Sequence, residues 1–129
     1  MRLIANLHAA LGELAGHTTP ECNAAEIVQQ AETGNAICTA TVEMFCAIFG
    51  AAAGDFALAH GARGGVYIAG GIARKIEHIL VGSTFREAFE NKGRLSYYVK
   101  AIPTRLILND DSAFLGAALA LQRFGTSKD

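Results

Sequence analysis

Gly70 and Gly71 sit where the apolar run Val66-Tyr67-Ile68-Ala69 gives way to Ile72-Ala73-Arg74-Lys75. No other junction in the chain is so well suited to holding a ligand. Glycine admits positive φ and carries no Cβ, so a flat or charged molecule can approach the main chain there. If a helix starts just beyond, its free amides favour an anion. A tight strand-to-helix turn would need the same glycines without any ligand. The segment is not a P-loop, because G-x-x-x-x-G-K-[ST] is absent. It is not a dinucleotide fingerprint either, since Gly70-Gly71 is not followed by the third glycine of G-x-G-x-x-G.

Other reactive side chains are less organised. Arg74 and Lys75 follow the glycine pair and are placed to meet phosphates, though two cations on a helix are ordinarily solvated. Asn109-Asp110 invites assignment as a general base, yet a polar turn capping the next helix accounts for it. His8, His17, His60 and His78 show no metal-ligand spacing with one another or with the cysteines, and most read as surface or cap residues. H-E-x-x-H and G-x-S-x-G are both missing. Cys22, Cys38 and Cys46 form no C-x-x-C pair and read as reduced packing thiols. Asp55 lies in an apolar neighbourhood, where a half-buried carboxylate bonded to a loop is expected rather than a catalytic acid.

The elements that carry these residues follow from periodicity and punctuation. Leu3, Leu7, Leu11 and Leu14 recur at helical spacing and predict an amphipathic helix over Leu3 to Ala15. Asn23 with Glu26 three residues later is a capping box, opening a short helix that ends before Gly34. A long helix follows from about Asn35 to His60, with Ile37, Phe45, Ile48, Ala52, Phe56 and Ala59 along one face. At 1.5 Å per residue its length is about 39 Å, enough to cross a domain. Gly50 and Gly54 interrupt it at i, i+4. Each costs about 1 kcal/mol relative to Ala, so another element is expected to approach closely there. Val66 to Ala69 reads as a buried strand, Ala73 to Leu80 as a helix, and Phe85 with Phe89 as another. Leu95, Tyr98 and Val99 mark a further short helix, with Tyr97 and Tyr98 pointing to opposite sides. Ile102 to Leu108 is the second strand and Ala113 to about Phe124 the last helix. Strands alternating with helices predict parallel pairing. Two strands alone make a marginal sheet, so a larger fold is expected around them.

The chain has 129 residues, 51% of them hydrophobic and 18% charged, with net charge −1. That is one domain's length with enough apolar content for a core, which excludes disorder. Eleven Lys and Arg against 12 Asp and Glu disfavour a basic nucleic-acid binder. Asn6 and His8 break the apolar start, and no stretch reads as the roughly 20 apolar residues of a membrane span. A cytoplasmic protein with no nucleic-acid or membrane partner is therefore expected.

Three blocks then acquire a common meaning. GGVYIAGGIARKI, FREAFENKGRLSYYVKAIPTRLIL and NDDSAFLGAALAL, preceded by FCAIFGAAAGDFALAHGARGG, closely resemble the C-terminal end of bacterial-type glucokinases, from about Leu7 to Leu121. The resemblance implies an α/β fold: the C-terminal part of an actin-like ATPase (ribonuclease H-like) domain, helix-rich with about two strands. It makes residues 1–129 a single partial domain on the nucleotide side. Gly70, Gly71 and Ile72 become the adenosine motif, with Gly65 and Gly64 framing the strand that delivers it. Asp110 to Ala118 resembles the second connecting segment at the interdomain hinge. The activity implied for the complete enzyme is transfer of the ATP γ-phosphoryl group to the 6-hydroxyl of glucose with Mg²⁺, in a homo-oligomer.

The sequence also departs from that family. It contains no D-x-G-G-T phosphate loop, and no Asn-Asp pair matching the one that contacts glucose and deprotonates its hydroxyl. The Glu and His residues of the sugar site are missing as well. No catalytic residue is therefore assigned, and the 129 residues are expected to be inactive alone. The alternative is a non-enzymatic regulatory or self-associating module derived from a sugar kinase.

Overall fold

The computed structural model describes residues 2–109 and 111–125, so Asp110 lies outside the described residues. Three helices come first: α1 (Arg2–Leu14), α2 (Ala24–Glu32) and α3 (Ala36–His60). The capping box at α2 forms as expected. Asn23 Oδ1 accepts from the Ala25 and Glu26 amides at 2.9 and 3.1 Å, and Glu26 Oε2 accepts from the Asn23 amide at 2.8 Å. Asn35 Oδ1 likewise caps α3 through the Cys38 amide at 3.1 Å, and Gly61 closes that helix at φ 60°. Only glycine takes that conformation freely.

The buried faces of α1 and α3 match those expected only in part: Leu7 and Leu11 are half-buried and Phe45 is buried. Ile4, His8 and Gly12 face the core in α1, while Leu3 and Leu14 lie in solvent. His8 is buried with one ring nitrogen partnered: Nδ1 stands 3.4 Å from Thr41 Oγ1, whose own proton goes to the Ile37 carbonyl at 2.7 Å. In α3 the core side is Cys38, Val42, Phe45, Cys46, Gly50, Gly54 and Ala57, whereas Ile48, Ala52, Phe56 and Ala59 are exposed. This helix is apolar on all sides, so periodicity could not choose between its faces. By length and composition it is also apolar enough to cross a membrane, with mean hydropathy 1.7, contrary to the expectation that no stretch is. Its core face nonetheless packs against α1, α2 and a later helix, as a core helix does.

That later helix accounts for the glycines. α6 (Phe85–Glu90) crosses α3 so closely that a Cβ on Gly50 would fall on the Phe85 carbonyl, and one on Gly54 on the Phe89 carbonyl. Phe49, Phe85 and Phe89 then interlock, with ring centroids 5.5 Å apart for the first pair and 6.3 Å for the second. Asp55 is 70% exposed rather than half-buried, because its partner reaches out to it: the largely buried Lys92 places Nζ 2.7 Å from the carboxylate and 2.8 Å from the Ala51 carbonyl.

Between α3 and α6 lie β1 (Val66–Ile68), α4 (Gly71–Lys75) and α5 (Glu77–Leu80). The single helix expected over Ala73 to Leu80 is thus two pieces broken at Ile76, whose side chain is fully buried. After α6 come a 3₁₀ turn (Gly93–Leu95), α7 (Ser96–Lys100), β2 (Thr104–Leu106) and α8 (Ser112–Phe124). The strands are parallel, as expected, with Val66 opposite Thr104 and Ile68 opposite Leu106. Both are shorter than expected. Tyr97 is exposed and Tyr98 partly buried under the Arg63 guanidinium, 5.4 Å from the ring. All three cysteines are free. Burial, the larger effect, and the neighbouring Cys22 push the Cys38 thiol up; burial pushes Cys46 up, against a hydrogen bond from Ser83.

Gly50→Ala is expected to lower stability by about 1–3 kcal/mol in urea denaturation, because overpacking outweighs helix propensity. Gly116→Ala, on the open surface of α8 with nothing within 4 Å, is expected to raise it by up to about 1 kcal/mol. The raised thiols set an alkaline limit. Unfolded cysteines ionise first as pH climbs through about 8–10, so stability is lost as pH rises there. Serine at Cys38 and Cys46 should flatten that slope.

Candidate nucleotide-side surface

The glycine pair stands where expected, at the C-terminal end of β1. Ile107 donates to the Ile68 carbonyl at 2.8 Å, so the chain leaving β2 runs beside it to the same edge. Ligands in parallel α/β sheets collect at this edge. Gly70 has φ 123°, a conformation that side-chain-bearing residues avoid, and it turns the chain into α4. Gly71 opens α4, and a Cβ added there would meet nothing within 4 Å. The backbone is therefore open at this point rather than closed by a neighbour, leaving room for a ligand to lie on it.

Two hollows meet at Gly71. One, of about 250 Å³, lies among Gly70, Gly71, Arg74, Ile107, Asn109 and Ser112, between the strand ends and the start of α8. The other, of about 460 Å³, is a groove between Gly71, Ile72 and Lys75 and the first turn of α2 at Asn23, Ala24 and Ala25. The two cations that follow the glycine pair are thus divided, Arg74 on one side and Lys75 on the other. Ile72 is half-buried and Ala73 buried, which anchors α4 from below. Because α4 has only five residues, its dipole is weaker than that of the longer helix expected here.

Gly65 is not brought to this edge. It precedes β1 at the opposite end, at φ 131°, where an added Cβ would crowd Arg105 and the Pro103 carbonyl. Its place is in positioning the strand. Asn109 makes the polar turn, accepting from the Asp111 amide at 2.8 Å, while Asp111 itself gives no side-chain cap to α8. His78 pairs with Glu32 at 2.6 Å, and His60 donates to the Phe56 carbonyl at 2.9 Å. Among the described residues no group of three His, Cys, Asp or Glu is placed to hold a metal ion. The α2 wall of the groove was not foreseen, because nothing local in Asn23-Ala24-Ala25 signals contact with residues near position 71.

The glucokinase family profile matches residues 3–124. The chain belongs to the glucokinase family. It is 52% identical over 116 residues to a glucokinase of Caulobacter sp. (strain K31), which covers 90% of this chain and 35% of that protein. Over 96 residues it is 50% identical to the bifunctional protein glk of Burkholderia orbicola (strain AU 1054), covering 74% of this chain and 15% of that one. A crystal structure of a glucokinase from an Antarctic psychrotroph superposes with TM-score 0.86 at 40% identity, over 93% of this chain and 38% of its own. This glucokinase-family chain therefore spans about a third of the length of the curated glucokinases it matches.

Backbone conformation separates the roles of the two glycines. Gly70→Ala is expected to destabilise the fold by about 1–3 kcal/mol through strain at positive φ. Gly71→Ala, in ordinary helical conformation with open space around it, should leave the urea midpoint nearly unchanged.

Proposed function

We propose that this chain forms the nucleotide-side portion of a glucokinase, within an actin-like (ribonuclease H-like) lobe, that binds ATP across the Gly70–Gly71 turn. The observation that carries the reading is the open backbone at Gly71, at the C-terminal edge of two parallel strands and shared by hollows on both sides. In this reading Gly71 and Ile72 carry adenine and ribose, and the phosphates extend toward Arg74, Asn109 and Ser112. The complete enzyme would phosphorylate glucose as a cytoplasmic homo-oligomer, without nucleic-acid or membrane partners. Mg²⁺ would accompany the ATP phosphates there. The described residues offer no carboxylate cluster for that ion, so no step is assigned to it on this chain.

Phosphoryl transfer depends on positioning and charge neutralisation around a loose transition state. The residues proposed for this chain hold and orient the nucleotide. The D-x-G-G-T loop is not among the 129 residues and no residue of this chain is assigned as the catalytic base, so the chain alone is proposed to be inactive toward glucose. A second reading, a self-associating module, has one observation in its favour. Phe114, Leu121 and Phe124 on α8 are each more than 70% exposed, and the two-stranded sheet has unpaired edges.

Calorimetric titration with ATP distinguishes the readings. Measurable binding that falls at least about tenfold in Gly71→Val supports the nucleotide surface. Equal isotherms for the two proteins would count against it, and concentration-dependent oligomers without nucleotide binding would favour the module. A coupled assay is expected to show no glucose-dependent ADP release from the 129-residue chain.

A further inference from the structure

Cys22 and Cys38 share a single side chain between them. Gln30 Nε2 donates to Cys22 Sγ at 3.8 Å, and the Cys38 thiol donates to Gln30 Oε1 at 3.6 Å. The N and O of a carboxamide are only about 2.3 Å apart, from its bond lengths. The two sulfurs therefore both lie against one small planar group, within about 10 Å of each other. Among the described residues, neither is tied to a metal-ligand cluster. Cys22 is partly open to solvent, on the loop one residue before the Asn23 cap, while Cys38 is buried in the first turn of α3. The third thiol, Cys46, lies two turns further along α3 and has no share in this contact.

We propose that Cys22 and Cys38 are a modification site: a dithiol that a peroxide converts to a disulfide once the Gln30 carboxamide swings aside and the loop carrying Cys22 closes on Cys38. The Cys22 thiolate attacks the peroxide O–O bond, giving the Cys22 sulfenic acid and releasing hydroxide, which takes up the thiol's proton as water. The Cys38 sulfur then attacks the sulfenic sulfur, the S–S bond forms, and the hydroxyl leaves with the Cys38 proton as a second water. Two thiols are oxidised by two electrons and one peroxide is reduced. The division of labour follows exposure: the accessible sulfur meets the oxidant and the buried one resolves it, as is usual for thiols paired in this way. The cross-link would pin the start of α2 to the start of α3. That first turn of α2 is the wall facing Gly71 across the groove, so oxidation would act on one wall of that groove.

Gln30 gives the idea a specific consequence. It has to vacate the space between the sulfurs, so shortening it should speed cross-linking. The experiment treats the folded 129-residue protein with hydrogen peroxide and maps peptides by mass spectrometry without reduction. The expected result is a Cys22–Cys38 peptide pair with Cys46 recovered as a free thiol, forming several-fold faster in Gln30→Ala. In Cys38→Ser the Cys22 sulfenic acid should persist and be trapped by dimedone. The proposal is overturned if the wild-type protein exhausts Cys22 as sulfinic acid or as an intermolecular dimer without the 22–38 pair. It is equally overturned if the cross-link runs through Cys46. The wild-type peptide map decides the matter even if a variant fails to fold.

Discussion

The contact on which the rest of this structure depends is the approach of α6 to α3 at Gly50 and Gly54. Two helices whose surfaces carry side chains pack with axes 8–10 Å apart. Here two missing Cβ atoms let the Phe85 and Phe89 carbonyls lie directly on α3. Each glycine costs helix propensity, and the fold recovers it through the aromatic interlock of Phe49, Phe85 and Phe89 and through Lys92, which ties the end of α6 back to Ala51 and Asp55.

From α6 the constraint passes to the sheet through one side chain. Arg86 donates to the Ile102 and Lys100 carbonyls at 2.8 and 3.0 Å and pairs with Glu90 at 2.6 Å. Its guanidinium also lies 4.8 Å from the Phe89 ring centre. Those carbonyls belong to the chain entering β2, and Pro103 then accepts from the Val66 amide at 2.9 Å to start the parallel ladder. The position of β1, and so of the glycine turn at its end, is set by α6 by way of Arg86. A planar guanidinium with several fixed donors can hold three elements at once, which a lysine could not.

At the Gly70–Gly71 turn, proposed above as the nucleotide surface, backbone conformation and open space are supplied by different residues. Gly70 is needed for its conformation and Gly71 for its emptiness. The surrounding surfaces are small and apolar on the α2 side, with Ala24 and Ala25, and polar on the α8 side, with Asn109 and Ser112. The two sides are brought to one glycine by elements that are far apart in the chain. The same distance between sequence neighbours and spatial neighbours explains why α3 has an exposed apolar face. A helix apolar all round suits a core surrounded on every side, and in these residues only one side is surrounded.

The sequence by itself determined the local features: the capping box at Asn23, the long helix closed by Gly61, the two short strand segments, the short helix at Phe85 and the glycine turn. Each is set by neighbours a few residues away, through hydrogen bonds and backbone preferences that any context preserves. The motif blocks also carried the family, because their order and spacing are specific. Tertiary structure alone decided which face of α3 and α1 is inside, the break at Ile76, the exposure of Asp55 and the α2 wall of the groove. In those cases the competing arrangements are locally equivalent. Ile48 and Phe56 are as apolar as Val42 and Phe45, and only the carbonyls of α6, reaching a face made of glycine, choose between them.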